Sequence, residues 1–143
     1  MIPRLGDVET QKAVTTWDLG QGIDNQQTGN TWSSNGDIIS LSLSGALNVF
    51  DPRVGDKPTR IFTAPQKPIN SLLATKEDTF FAGTADGRVF SYSVAAEESS
   101  LLEGEGHPSM VTGIAKVPGT GTAYSIGYDD HVREIDAERD SYL

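Results

Sequence analysis

The chain contains no cysteine, which excludes disulfide bridges and thiolate metal sites. It has 11 basic residues against 20 acidic ones, giving a net charge of −9. Because such a surface repels phosphate groups, binding to nucleic acids or to anionic membranes is not expected. The sequence also lacks an apolar run long enough for a signal peptide or a membrane span. These absences predict a cytoplasmic protein.

Glycine is frequent, and two of the glycines mark turns in a repeated pattern. Three stretches of twelve residues follow this pattern: 40–51 (SLSLSGALNVFD), 82–93 (AGTADGRVFSYS) and 125–136 (SIGYDDHVREID). Their turn positions, Gly45, Gly87 and Asp130, lie 42 and 43 residues apart. A period of about 40–45 residues with several short strands is typical of a WD-repeat blade. The sequence therefore predicts an all-β fold, a partial WD-repeat β-propeller of about three four-stranded antiparallel blades.

Each repeat unit is predicted to hold one outer strand followed by three inner strands, over residues 13–51, 59–93 and 100–136. The predicted outer strands are residues 13–19, 59–63 and 100–103. The predicted inner strands are 27–32, 37–43 and 46–51, then 69–74, 79–84 and 88–93, then 110–116, 123–127 and 131–136. Residues 139–143 would begin another connection.

The chain has fewer blades than a closed propeller needs. Propellers close with about 4–8 blades, so we expect part of a larger protein or a chain that must assemble. Residues 1–6 do not fit the repeat and are interpreted as a leader derived from an expression vector, which leaves the blades to residues 7–143.

The third unit contains a histidine, a serine and an aspartate at the positions where WD-repeat blades often form a hydrogen-bonded set. These residues are His107, Ser125 and Asp129, and Ile135 stands where the set would have a tryptophan. A buried imidazole between a hydroxyl and a carboxylate satisfies polar groups that are costly to leave unpaired. The same residue types suggest a catalytic triad. However, the chain has no G-x-S-x-G motif, so we predict no catalytic residue and no enzyme activity.

The first two units are expected to have lost this polar set. The second keeps Ala64-Pro65, Ala82, Asp86 and Tyr92 at the matching positions, and the first keeps only Ser40 and Phe50. We expect Phe50, Tyr92 and Ile135 to fill one apolar layer between blades, so that the units stack without the network. Trp17-Asp18 spells the dipeptide that names the repeat, but we assign it to an outer strand, far from the repeat position of Phe50-Asp51.

No cofactor or metal site is predicted. Asp129-Asp130 supplies too few oxygen ligands for calcium, and His131 has no second histidine at metal-site spacing and is expected to face solvent.

The acidic residues Glu97, Glu98, Glu103 and Glu105 are interpreted as a solvated rim, with a docking patch as the alternative. Lys57, Arg60 and Lys67 form a loose basic group. Exposed arginines and aromatic residues often anchor protein interfaces, which singles out Arg60, Arg88 and Tyr92.

Several segments occur in an order that resembles one WD-repeat family. These segments are 24–29 (DNQQTG) with Trp32, 41–45 (LSLSG), 55–58 (GDKP), 104–107 (GEGH), and 128–130 (YDD) with Val132-Arg133. The series resembles the central region of the actin-interacting protein 1 family, WD-repeat cofactors of cofilin, in a fungal version. The resemblance covers nearly all of residues 7–143.

The resemblance implies a fragment of a two-propeller protein, spanning the end of one propeller and the start of the next. It implies a non-enzymatic, actin-binding module of a factor that promotes cofilin-dependent disassembly of actin filaments, with actin and cofilin as partners in actin-rich parts of the cytoplasm. It assigns no partner-binding residue. The alternative is a WD-repeat scaffold for a complex unrelated to actin. In either case, open blade faces at both ends predict self-association of the chain. Two copies would close a ring of six blades and three copies a ring of nine, with the dimer favoured, and domain-swapped pairing through residues 13–19 is the alternative.

Overall fold

The structure, a computed structural model, describes residues 4–63, 69–76 and 78–143. Within these ranges the chain folds into β-strands and one short 3₁₀ turn, Ile23–Asn25. The strands are β1 Arg4–Asp7, β2 Lys12–Thr16, β3 Gln27–Trp32, β4 Ile38–Ser42, β5 Ala46–Phe50, β6 Arg60–Thr63, β7 Ile69–Lys76, β8 Thr79–Thr84, β9 Val89–Ser93, β10 Glu98–Leu101, β11 Val111–Lys116, β12 Thr122–Gly127, β13 Val132–Asp136 and β14 Ser141–Tyr142. No helix in the described ranges is long and apolar enough to cross a membrane.

The strands form three four-stranded antiparallel sheets, each with its strands in sequence order. Blade 1 consists of β3–β6, blade 2 of β7–β10 and blade 3 of β11–β14. This confirms the predicted fold, a partial WD-repeat propeller with about three blades. Strands β1 and β2 form a separate two-stranded hairpin before blade 1.

The outer strands β6, β10 and β14 each pair with the inner strand that precedes them in sequence, whereas β2, which covers most of the first predicted outer strand, pairs with β1. Strand β6 pairs with β5, with Phe62 opposite Leu47, and β10 pairs with β9, with Ser99 opposite Tyr92. A sheet therefore crosses the boundary between two sequence units. The region expected to begin another connection contains β14, which completes blade 3 by pairing Tyr142 with Ile135. The unit boundaries and the vector-derived leader stay predictions, and the structure places Arg4–Asp7 in β1.

The turn between the second and third strands of each blade has the same backbone conformation. Its φ angle is 84° at Gly45, 91° at Gly87 and 59° at Asp130. Glycine adopts this left-handed region without a steric cost, and aspartate is among the few other residues that tolerate it. The repeated turn positions that define the sequence period are therefore confirmed.

Alternating side chains of the blades form two apolar layers. Between blades 1 and 2 the layer contains Ile39, Leu41, Leu47, Val49, Phe80, Ala82, Phe90 and Tyr92. Between blades 2 and 3 it contains Phe81, Val89, Leu102, Val111, Ala123, Ile135 and Ala137. Because successive residues of a strand point to opposite faces, blade 2 contributes Phe80 to one layer and Phe81 to the other.

The predicted stacking residues Phe50, Tyr92 and Ile135 are all buried, but they do not share one layer. Tyr92 lies between blades 1 and 2 and Ile135 between blades 2 and 3, whereas Phe50 packs against Trp17 on the other face of blade 1. The expectation for Trp17 is wrong. It follows β2 rather than lying within a strand, and its ring centroid is 5.0 Å from that of Phe50. Its indole N–H donates to the carbonyl of Gly55 at 3.3 Å, so Trp17 attaches the N-terminal hairpin to blade 1.

Candidate functional site

The predicted polar set of the third unit forms a continuous hydrogen-bonded chain between blades 2 and 3. His107 Nδ1 lies 2.8 Å from Asp129 Oδ1, and His107 Nε2 lies 2.8 Å from Ser125 Oγ. With a neutral ring, Nδ1–H donates to the carboxylate and Nε2 accepts from the serine hydroxyl. The prediction of this network is confirmed, and Ile135 lies in the adjoining apolar layer.

The network is built by three different elements. Ser125 lies in β12, Asp129 in the turn before β13, and His107 in the loop that connects blade 2 to blade 3. The backbone N–H of His107 donates to the carbonyl of Gly87 at 3.1 Å, which fixes the loop to the turn of blade 2. A Cβ atom on Gly87 would lie only 1.9 Å from the carbonyl oxygen of His107. The close approach therefore requires glycine.

Asp129 receives further donors and carries a shifted pKa. Arg133 Nη2 lies 3.4 Å from Asp129 Oδ2. Burial alone would raise the pKa of the Asp129 carboxyl, but the hydrogen bond and favourable electrostatic interaction with His107, together with backbone hydrogen bonds, lower it below its usual value. The carboxylate is thus held in its ionised form as the acceptor of the network.

This arrangement is inaccessible to a substrate. The residue Ser125 and the side chain of His107 are each 0% exposed. A nucleophile must reach a reacting atom, and Ser125 Oγ is enclosed between two sheets. The chemistry that the geometry supports is therefore the satisfaction of buried polar groups.

Blade 1 contains a second polar network, which the motif comparison missed. Gln27 Nε2 donates to Ser42 Oγ at 2.9 Å, and Asn48 Nδ2 donates to the same oxygen at 2.9 Å. Ser40 Oγ donates to Gln27 Oε1. The sequence offered only Ser40, because Gln27 and Asn48 are not part of the family's motif. Both residues are polar side chains on strands that were predicted to be inner strands. A search for polar residues at such positions could have identified them.

In blade 2, hydrogen bonds within the turn replace the network. Thr84 Oγ1 donates to Asp86 Oδ1 and receives the backbone N–H of Arg88 at 3.2 Å. Ala82 lies in the apolar layer facing blade 1. Ala64-Pro65, the predicted departure at the Gly-His position, lies outside the described residues.

The predicted interface residues differ in exposure. Arg60 and Arg88 are exposed, and Arg60 Nη1 donates to the carbonyl of Val94 at 3.3 Å. Tyr92 is only 6% exposed, so the structure does not place it on the surface as an anchor. Lys57 is exposed, whereas Lys67 lies outside the described residues.

The acidic residues Glu97, Glu98, Glu103 and Glu105 are all exposed, as a solvated rim requires. The side chain of His131 is 67% exposed, as expected, and its Nδ1 lies 2.5 Å from the carbonyl oxygen of Asp129. In the described part of the chain, no three His, Cys, Asp or Glu side chains form a group that could hold a metal ion.

The far face of blade 3 is open. Tyr124, Ile126 and Val132 are exposed there, and Ile126 lies opposite Val132 in the register of β12 and β13. The position of Val132 in the repeat corresponds to that of Leu47 in blade 1 and Val89 in blade 2. Those two side chains are buried because the next blade covers them.

The sequence is similar along nearly its whole length to several WD-repeat proteins. It is 33% identical to "Actin-interacting protein 1" of Drosophila melanogaster, over 97% of this chain and 22% of that protein. It is 30% identical to "WD repeat-containing protein 1-B" of Xenopus laevis, over 91% of this chain and 22% of that protein. "WD repeat-containing protein 1" of Gallus gallus is 28% identical over 97% of this chain and 23% of its own length. The chain thus spans about a fifth of the length of these relatives. No family model matches it.

Proposed function

Because the chain is a WD-repeat chain that resembles one segment of actin-interacting protein 1 over 97% of its length, we propose that it is a non-enzymatic actin-binding module. It belongs to a factor that promotes cofilin-dependent disassembly of actin filaments. The main support for this proposal is that the similarity continues through all three blades. The name of the relative supplies actin as the partner. The role of cofilin rests on the order of the resembling segments described above.

A binding role agrees with the chemistry of the blades. The serine, histidine and aspartate that could suggest catalysis are enclosed between sheets, whereas arginine side chains such as Arg60 and Arg88 are exposed. Binding by shape and charge needs exposed side chains on a rigid scaffold. Stacked blades supply such a scaffold, and the proposed location is the actin-rich cytoplasm.

Filament disassembly in the presence of cofilin tests the proposal. The full-length parent protein should accelerate the loss of labelled filaments beyond cofilin alone, and the 143-residue chain is measured beside it. A full-length parent that accelerates nothing would contradict the proposal. A pull-down from cell extract separates it from the scaffold alternative, because that alternative predicts other assemblies in place of actin and cofilin.

The open face of blade 3 supports self-association of this chain. Apolar side chains at positions that are buried in blades 1 and 2 remain exposed there, and such faces favour contact with another sheet. In a solution that contains only this chain, a second copy is the molecule that can cover the open face of blade 3. Light scattering during size-exclusion chromatography at two concentrations should detect a discrete dimer. Val132→Asp should shift the mass to that of a monomer, whereas a wild-type monomer at both concentrations would contradict self-association.

A further inference from the structure

A cavity of about 220 Å³ lies between blades 1 and 2. Strands β5 and β6 contribute to one wall, and β8, β9 and β10 contribute to the other. Three of the lining side chains are aromatic, namely Phe62, Phe80 and Tyr92, and aliphatic residues such as Ile39 and Val49 complete the apolar walls. Since a cavity of about 150 Å³ is enough to hold benzene, this volume suits one long side chain rather than a large ligand.

The walls contain a buried hydroxyl for which residues 4–63, 69–76 and 78–143 provide no hydrogen-bond partner. Tyr92 is 6% exposed, and its Oη atom makes no hydrogen bond with the described residues. The register places Tyr92 beside Phe80 and Ser99, on the face of blade 2 that meets blade 1. A buried polar group without a partner is destabilising. Burial raises the pKa of Tyr92, so the hydroxyl stays neutral and its oxygen can accept a hydrogen bond.

The charged residues that line the cavity are acidic, and Arg60 lies at its rim, where Nη1 donates to the carbonyl of the lining residue Val94. Glu97 and Glu98 line it, and no lysine or arginine does so among the described residues. Neither carboxylate takes part in an ion pair within the described ranges. In the register, Glu98 pairs with Ser93 and so lies on the opposite face from Tyr92 and Ser99. Glu97, in the preceding turn, is therefore the carboxylate assigned to the cavity side.

We propose that this cavity binds the side chain of a lysine presented by a partner protein. The butyl stem would lie against the apolar walls, and the ammonium would lie near the aromatic rings, the Tyr92 hydroxyl and the Glu97 carboxylate. Aromatic rings attract cations through their negative faces. The net charge of −9 also favours a basic partner surface. This inference is independent of whether the partner is actin.

Two matched probes test the charge requirement on the 143-residue chain. Nα-acetyl-lysine methylamide and Nα-acetyl-norleucine methylamide have the same butyl stem, but only the first has an ammonium group. We expect the lysine probe to shift the methyl NMR signals of Ile39 and Val49 saturably, with an affinity about tenfold above that of the norleucine probe. Equal affinities, or no saturable shift with the lysine probe, would overturn the proposal.

Three variants test the position of the site. Glu97→Gln should weaken the lysine probe about threefold, whereas Glu98→Gln and the distant Glu134→Gln should leave its affinity unchanged. Tyr92→Phe should weaken the lysine probe about fivefold without affecting the norleucine probe. This variant should fold, because the hydroxyl that it removes makes no hydrogen bond with the described residues. Equal losses in all three glutamate variants would indicate a diffuse charge effect and overturn the site.

Discussion

The junction between blades 2 and 3 and the open face of blade 3 present the same repeat positions in two different environments. Val89 is 0% exposed at the junction, whereas Val132, the same residue type at the matching position, is 67% exposed. Likewise Phe81 is buried, while Tyr124 at its matching position is exposed. The difference shows that the next blade, and not the residue's own sheet, determines burial. A repeat of this kind becomes stable only when neighbouring units cover one another.

The most severe way to break the covered junction is Gly87→Ala. The added Cβ would lie 1.9 Å from the carbonyl oxygen of His107, and φ at this position is 91°. We expect a loss of roughly 3 kcal/mol or more in the free energy of unfolding, measured by urea titration. Gly36→Ala is the control, because its φ is 84° but no atom of the described residues lies within 4 Å of the added atom. It should cost about 1 kcal/mol, and an equal loss in both variants would contradict the role of the close approach.

Removal of the imidazole should also break the junction, with a smaller effect. His107→Ala leaves the Ser125 hydroxyl and the Asp129 carboxylate without their partner. We expect a loss of about 2–3 kcal/mol in the free energy of unfolding. His131→Ala, on the solvent side, should remain within about 0.5 kcal/mol of the wild type. A tolerated His107→Ala would show that apolar packing alone holds the two blades together.

Acid should weaken the junction through Asp129. Its pKa is lower in the folded chain than its ordinary value, so its contribution to stability is present above the unfolded-state pKa. That contribution is lost as the pH falls through the folded-state pKa. Asp129→Asn should therefore flatten the decrease of the urea midpoint between neutral and acidic pH. Asp130→Asn, in the same turn, should retain the wild-type slope, and equal slopes in all three proteins would contradict this assignment.

The smallest expected effect concerns hydroxyl groups in the covered layers. Tyr92→Phe removes a buried hydroxyl that has no hydrogen-bond partner in the part of the chain that the structure describes, so stability should stay unchanged or rise by up to about 1 kcal/mol. Ser125→Ala removes a hydroxyl bonded to His107 and should lower stability by about 1–3 kcal/mol. Thermal unfolding of both variants distinguishes the two cases. A clear loss in Tyr92→Phe would mean that its hydroxyl has a stabilising partner.

The sequence predicted those features that depend on local pattern. Alternating residues and the turn positions Gly45, Gly87 and Asp130 gave the inner strands, and motif spacing identified the contacts of His107. Features that depend on distant packing were missed. The Gln27–Ser42–Asn48 network lies outside the motif, and Trp17 packs against a blade that begins several residues later. For Tyr92 the sequence supported both a place in an apolar layer and a role as an interface anchor, and contacts with strands of blade 1 decide for the layer.

The most direct test of mutual coverage compares Val89→Ala with Val132→Ala in urea unfolding at low protein concentration. Both variants remove the same atoms from the same repeat position, and only the neighbouring blade differs. Coverage by blade 3 predicts a loss of about 2 kcal/mol for Val89→Ala, and a change within about 0.5 kcal/mol for Val132→Ala. Equal losses in the two variants would contradict the claim that the adjacent blade determines burial.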